Sequence, residues 1–312
     1  MICLVTGGAG FIGSHLVDRL LLEKHEVICL DNFDPYYNPS IKREHIKSAI
    51  SAEKFSLVEG DIRNRKQVED IVKDNSVEII YHLAAQAGVR VSIENPSKTH
   101  DINATGTLNI LEAARSLGVK KVINASSSSV YGKMKYLPFD EEHPKNPVSP
   151  YGASKVAAEH YCRIFYEIYG LRTTSLRYFT VYGERIRPDL AISIFTKKAL
   201  NSEPIEIYGD GNYTRDFTYI DDAVQATILA MNKGDGEIYN IGSGKRITIN
   251  GLAEKIIAIT GNKSKIIHTA AKKGEAEHTL ANIEKAKKGL GWEPKIDITD
   301  GLKLYVDIKG LH

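Results

Sequence analysis

Cysteine is scarce in this chain, and what there is lies far apart. Cys3, Cys29 and Cys162 form an odd set with neither a disulfide framework nor a CxxC metal spacing. Cys3 and Cys29 fall in apolar runs, so the expectation is buried, reduced thiols in a cytoplasmic protein. His82, His143 and the other histidines also lack the spacing of metal ligands, and no metal is expected. Long hydrophobic runs are missing as well. The opening run breaks at Gly7 and has no basic segment before it, which speaks against a signal peptide or a membrane span. Net charge is only +2, with a pI near 8.2. A nucleic-acid binder should show a concentrated basic stripe, so that class is excluded, and a small anionic substrate held by a few placed cations fits better. Repeats, low-complexity tracts and long linkers are absent too.

What is present in quantity is the material of a globular enzyme: 42% hydrophobic and 26% charged residues, in 312 residues that can bury a large core. In the first half, short apolar runs alternate with segments of helical spacing. Strands are predicted at 2–6, 27–30, 55–58, 79–83, 122–125 and 173–178. Nearly all-apolar strands separated by helices indicate a parallel sheet covered on both faces. The fold class is therefore α/β, a doubly wound parallel sheet with ligands at the carboxyl ends of its strands. After about residue 183 the pattern changes to a helix at 192–200, a short segment at 205–208 and a Gly209-Asp210-Gly211-Asn212 turn. One more strand of the main sheet is predicted at 237–241, followed by short elements of a smaller α/β lobe. The expected division is a cofactor domain of residues 1–178 plus about 217–245. About 179–216 and 246–312 would then form a substrate-binding lobe interleaved with it.

Gly8-Ala9-Gly10-Phe11-Ile12-Gly13 follows the first strand and opens the first helix, and with Gly7 it also reads as glycine at 7, 10 and 13. Bare glycines let a backbone approach a pyrophosphate, which the free N–H groups of a helix start attract. Asp31 ends the second strand, 18 residues after Gly13, where a carboxylate accepts from adenosine ribose hydroxyls and repels a 2′-phosphate. These residues predict a Rossmann-type dinucleotide site at which NAD is favoured over NADP. Asn32 beside it, Asp61 and Ile62 after the third strand, and Leu83, Ala84 and Ala85 after the fourth sit where a cofactor crossing the strand ends would touch the chain.

Tyr151 and Lys155 are four residues apart, one turn on the same helix face, behind a Pro150 suited to a helix start. A phenol of pKa near 10 is a poor base at neutral pH, and a neighbouring ammonium should favour the phenolate. Taken alone, such a pair is more often a surface feature. Ser126, Ser127, Ser128 and Ser129 shift the balance, because they place hydroxyls at a strand's carboxyl end for a sugar hydroxyl that becomes a carbonyl. Glycine loop, serines and Tyr/Lys pair occur in the order a single active site requires.

Together these motifs resemble the extended short-chain dehydrogenase/reductase family, and within it the nucleotide-sugar epimerases, over essentially the whole chain. The resemblance runs through His82-Leu83-Ala84-Ala85, Asn103-Ala104-Thr105-Gly106-Thr107, Ser127 to Gly132, Leu176-Arg177-Tyr178, Arg215-Asp216-Phe217 and Leu290-Gly291-Trp292-Glu293-Pro294. It implies that Tyr151 is the general base, Lys155 tunes it, and Ser127 holds the reacting oxygen. It implies cofactor contacts from Gly7, Gly10, Phe11, Ile12, Gly13, Asn103 and Tyr178, with Asn103 also supporting the active-site helix. Arg215 and Lys272 would bind a UDP diphosphate, and Tyr208 would lie against uracil. A homodimer through helices near 97–117 and 151–169 is implied too.

Dehydratases of this family carry Asp-Glu where this chain has Ser128-Ser129, and decarboxylases carry Glu at the second position. Thr180-Val181-Tyr182-Gly183, Arg187-Pro188-Asp189, the Gln86-to-Arg90 segment and the Asp31-to-Tyr37 segment are most similar to UDP-glucuronate 4-epimerases. Arg187 is then the natural partner of a C6 carboxylate, with Thr180, Ser128 and Arg90 nearby. The alternatives for Arg187 are a rim ion pair with Asp189 or a diphosphate contact. The expected reaction is reversible C4 epimerisation of a UDP-sugar, UDP-glucuronate to UDP-galacturonate first. The alternative is UDP-glucose or UDP-N-acetylglucosamine. Behind these come a UDP-glucuronate decarboxylase and a non-catalytic NAD sensor.

Overall fold

A computed structural model describes residues 1–270 and 277–310. Seven parallel strands form the main sheet: β1 (Ile2–Thr6), β2 (Glu26–Asp31), β3 (Phe55–Glu59), β4 (Ile79–His82), β5 (Lys121–Ser127), β6 (Thr173–Tyr178) and β7 (Ile238–Ile241). Their order is β7-β6-β5-β4-β1-β2-β3. The order reverses between β1 and β4, which opens the crevice where doubly wound sheets bind ligands. Cys3, Leu4 and Val5 of β1 are fully buried, because helices cover both faces of the central strand. The three cysteines are free and buried.

Three helices position the crevice. The first, α1 (Phe11–Leu22), leaves β1 through the glycine loop and turns Leu16, Val17 and Leu20 into the core. Next, α2 (Gly106–Ser116) continues a single π-helical turn, Asp101–Thr105. The third, α3 (Pro150–Tyr169), starts with the Ser149 side chain accepting from Gly152 N and with proline in the first turn, and ends at Gly170 in the left-handed conformation.

The rest of the chain packs beside the carboxyl edge of the sheet. It holds small two-stranded pairings: Thr180–Tyr182 with Phe217–Tyr219, Thr214–Arg215 with Ile247–Thr248, and Ile205–Tyr208 with Ile266–Thr269. One cluster of buried side chains runs from Val5 through Phe195, Leu252 and Trp292 to Tyr305. The lobe therefore shares a core with the sheet. No helix among the described residues is long and apolar enough to cross a membrane.

Candidate active site

A cavity of about 760 Å³ lies along the carboxyl edge of the sheet, from Asp31 and Asp61 at one end to Tyr208 and Arg215 at the other. Every site residue expected from sequence lines it except Asn103, which is buried behind it, and Lys272, which lies outside the described residues.

The glycines of the first loop act in two ways. A Cβ on Gly13 would stand 2.1 Å from Gly7 O, and one on Gly7 would stand 2.7 Å from Ala84 N, so these two permit chain-on-chain packing. A Cβ on Gly10 would meet only Gly7 O, at 3.1 Å, and otherwise the cavity. Gly10 is therefore the position where a bare backbone serves a ligand. No side chain caps α1, and its first residues, Phe11, Ile12 and Gly13, face the cavity with N–H groups that have no partner within the helix. The loop fits a dinucleotide pyrophosphate. Asp31 is held in place from both sides, Oδ2 accepting from Ala9 N at 3.0 Å and Oδ1 from Phe33 N at 2.8 Å. Burial pushes its carboxyl up, and these bonds together with Lys42 oppose the shift.

The middle of the cavity holds the serines and the Tyr/Lys pair. Gly152 lets α3 approach them, since a Cβ there would lie 2.5 Å from Ser129 O. Ser127 Oγ donates to Ser129 Oγ at 3.2 Å and accepts from Ser129 N at 3.1 Å. The Lys155 side chain turns inward, is 4% exposed, and donates from Nζ to Ala125 O at 2.8 Å. Burial lowers this ammonium from its ordinary 10.5 to about 8. The Tyr151 phenol departs from the sequence expectation of a lowered pKa. Burial pushes it up, and the opposing influences are the Ser127 hydroxyl and the charge of Arg187. Lys155 Nζ is 5.9 Å from the centre of the Tyr151 ring and committed to a carbonyl, which explains its small influence on the phenol.

Behind the cavity, a chain of hydrogen bonds ties β1 to α3. Thr6 Oγ1 pairs with His82 Nδ1 at 2.8 Å, and His82 Nε2 with Thr107 Oγ1 at 3.0 Å. Thr107 Oγ1 donates to Asn103 O at 2.6 Å, so the hydrogen between Thr107 and His82 belongs to Nε2. Burial holds His82 down to about 3, so this histidine stays neutral. Asn103 Nδ2 donates to Ser154 Oγ at 3.0 Å, and Ser154 Oγ donates to Tyr151 O at 2.8 Å. Asn103 thus braces the active-site helix without reaching the cavity, because the π-helical turn directs it at Gln86 and Ser154. His143 is also buried, with Nε2 accepting from Lys135 N at 3.1 Å.

At the other end of the cavity, Arg187 forks Asp189, with Nε and Nη2 at 3.0 Å and 3.0 Å from its two oxygens. Arg90 lies over the Tyr208 ring at 5.3 Å, and Arg215 Nη1 donates to Thr214 O at 3.0 Å and Glu277 O at 3.1 Å. Sequence reasoning gave no role to Tyr36, Lys42 and Glu159. Tyr36 and Lys42 line the cavity. Glu159 is 2% exposed and binds Arg177 through two bonds of 2.8 Å while accepting from Ser126 Oγ at 2.5 Å. One available signal was that Glu159 continues the Tyr151, Lys155 spacing of four.

A GDP-mannose 4,6 dehydratase family model matches residues 4–305. A UDP-glucuronate 4-epimerase of Thermodesulfobacterium geofontis is 42% identical over 97% of this chain and 94% of its own length. The UDP-glucose 4-epimerase of Thermotoga maritima, solved with UDP-glucose, superimposes with a TM-score of 0.94 at 39% identity over 100% of both chains. A UDP-glucuronic acid 4-epimerase of Bacillus cereus, solved with UDP-glucuronic acid and NAD, gives 0.94 at 36% identity, again over 100% of both chains.

Proposed function

The chain belongs to the short-chain dehydrogenase/reductase-type epimerase family that the GDP-mannose 4,6 dehydratase model describes, and from that premise we propose that it inverts C4 of a UDP-sugar, UDP-glucuronate first. The observation that carries this reading is the position of Tyr151. It lies at the start of α3, in one cavity with Ser127, the glycine loop and Arg187.

In this reading Tyr151 takes the proton of the sugar 4-hydroxyl while Ser127 donates to the oxygen as it becomes a ketone. NAD, when bound there, would supply the acceptor of the C4 hydride and its donor on the return. The helix start and Arg187 stabilise the phenolate against the burial that opposes it. Lys155, fixed by Ala125 O, holds the floor of the site and a ribose hydroxyl. Asp31 and the N–H groups of α1 hold the dinucleotide. The 4-keto sugar turns about its bond to the diphosphate, which Arg215 and Lys272 retain, with Tyr208 against the base. This remote binding keeps the intermediate in place. For a uronate the intermediate is a β-keto acid. Arg187 with Thr180 holds its carboxylate out of line with the carbonyl, and Ser129 offers no acid to assist loss of CO₂.

Residues 1–178 with about 217–245 serve the cofactor, and about 179–216 with 246–312 serve the sugar nucleotide. The reading includes a cytoplasmic homodimer. Exposed Leu117 and, at the end of α3, Ile168 and Tyr169 support a face built from the helices near 97–117 and 151–169. Sedimentation velocity tests it: a monomer at micromolar concentration would remove the dimer from the account.

One observation favours the second substrate, UDP-glucose or its N-acetyl relative. Arg187 is already neutralised by Asp189, which suits a hydroxymethyl group as well. Incubation with a panel of UDP-sugars and identification of the products by NMR decides. UDP-galacturonate from UDP-glucuronate is the expected result. Conversion of UDP-glucose alone moves the assignment to the second substrate, and a UDP-pentose as main product overturns epimerisation.

A further inference from the structure

Arg187 is held by two residues that the reading above leaves without a role. Its Nε–Nη2 edge is taken by Asp189. Asp189 Oδ2 also accepts from Tyr36 Oη at 2.8 Å, and the Tyr36 ring lies 5.5 Å from the guanidinium. Tyr36 comes from the loop after β2, where Lys98 Nζ fixes Asp34 at 2.7 Å. A third loop closes against it: Gly88, at φ 112°, would bring a Cβ to 3.0 Å from Tyr36 Oη. Segments remote in sequence thus converge on one carboxylate, the tyrosine and the aspartate lying 153 positions apart.

A guanidinium offers paired N–H groups on two edges. Asp189 occupies one, so the Nη1–Nη2 edge is left to face a second carboxylate. Tyr36, Arg187 and Asp189 all line the cavity. How much positive charge that second edge presents depends on how fully Asp189 spends its own charge on Arg187. The Tyr36 hydroxyl draws part of it away.

We propose that Asp189 is a specificity-determining brake on Arg187, trimmed by Tyr36, and that the two set how strongly the site prefers a carboxylate over a hydroxymethyl group at C5 of the sugar. The proposal rests on the reading of Arg187 as the group facing C5. It accounts for a cation that is oriented and yet neutralised.

The test is calorimetric titration of UDP-glucuronate, UDP-glucose and UDP into the NAD-loaded enzyme, on a Tyr151→Phe background that blocks turnover. Asp189→Asn keeps the shape and removes a repulsive charge one guanidinium away from the substrate carboxylate. It raises the ratio of UDP-glucuronate to UDP-glucose affinity about tenfold. Tyr36→Phe leaves the aspartate's charge wholly on Arg187 and lowers the same ratio about threefold. UDP reports the nucleotide pocket and the fold independently of C5. An Asp189→Asn ratio that falls or stays level, with a ratio that does fall in Arg187→Ala, overturns the brake and leaves the reading of Arg187 intact. A ratio unmoved by Arg187→Ala removes that reading and the brake with it.

Discussion

The two ends of the cavity recognise ligands with different materials. The dinucleotide end is made of backbone: bare glycines, the first N–H groups of α1 and a carboxylate pinned by two amides. The sugar end is made of long cationic side chains, each already engaged with a partner, as in Arg187 with Asp189 and Arg90 with Tyr208. Backbone recognition has no slack, because moving it means moving the buried sheet. Side-chain recognition can be retuned one residue at a time. A family that keeps its cofactor and changes its sugar would divide the site in this way.

Five substitutions break or sharpen that contrast. Tyr151→Phe, between the two ends, should lower kcat by about 10²–10⁴-fold while circular dichroism stays unaltered, and near-normal turnover would remove the general base from the account. Glu159→Gln leaves the fully buried Arg177 without its charge partner and should cost about 3–5 kcal/mol in denaturant unfolding. A loss near zero would mean that the pair does not anchor α3.

The third test uses pH. Burial brings the Lys155 ammonium from 10.5 to about 8, so between those values the unfolded chain binds more protons than the folded one. Stability therefore rises with pH across that window, by roughly 3 kcal/mol from this group alone. Lys155→Met, which carries no proton to lose, should flatten that rise in urea melts at pH 8 and pH 10.5. An unchanged slope would place the ammonium in a far wetter setting.

Gly13→Ala puts a methyl against Gly7 O and should cost about 1–3 kcal/mol with loss of co-purifying NAD. Arg187→Ala should be the mildest for the fold, with a melting temperature near wild type, yet should raise KM for UDP-glucuronate about tenfold or more and spare UDP-glucose. Equal damage to both sugars would erase the distinction between the two ends.

The same contrast explains what could be read from the sequence. β1 and β6 were legible to the residue, β1 because a buried parallel strand leaves an apolar run and β6, TTSLRY, because β-branched and aromatic residues favour a strand. The glycine loop and the Tyr151, Ser127 and Lys155 set were legible because strand–turn–helix order fixes their location. The ionisation of Tyr151 was not legible. Helical spacing brings Lys155 alongside but cannot reveal that Ala125 O binds its ammonium. Asn103 was read as a support of the active-site helix, which its bond to Ser154 shows, and also as a cofactor contact, because no pattern announces a π-helical turn. Tyr36 and Glu159 escaped for one reason: each acts through a partner far along the chain, and single-sequence periodicity carries no information about pairs.

The central claim is that the hydrogen at C4 leaves and comes back, while Tyr151 handles only the oxygen's proton. Epimerisation run in D₂O and followed by NMR tests this most directly. The product should carry protium at C4 and at C5. Deuterium at C4 would mean that the hydrogen exchanged with solvent, and deuterium at C5 would mean a proton abstraction there; either result contradicts the mechanism.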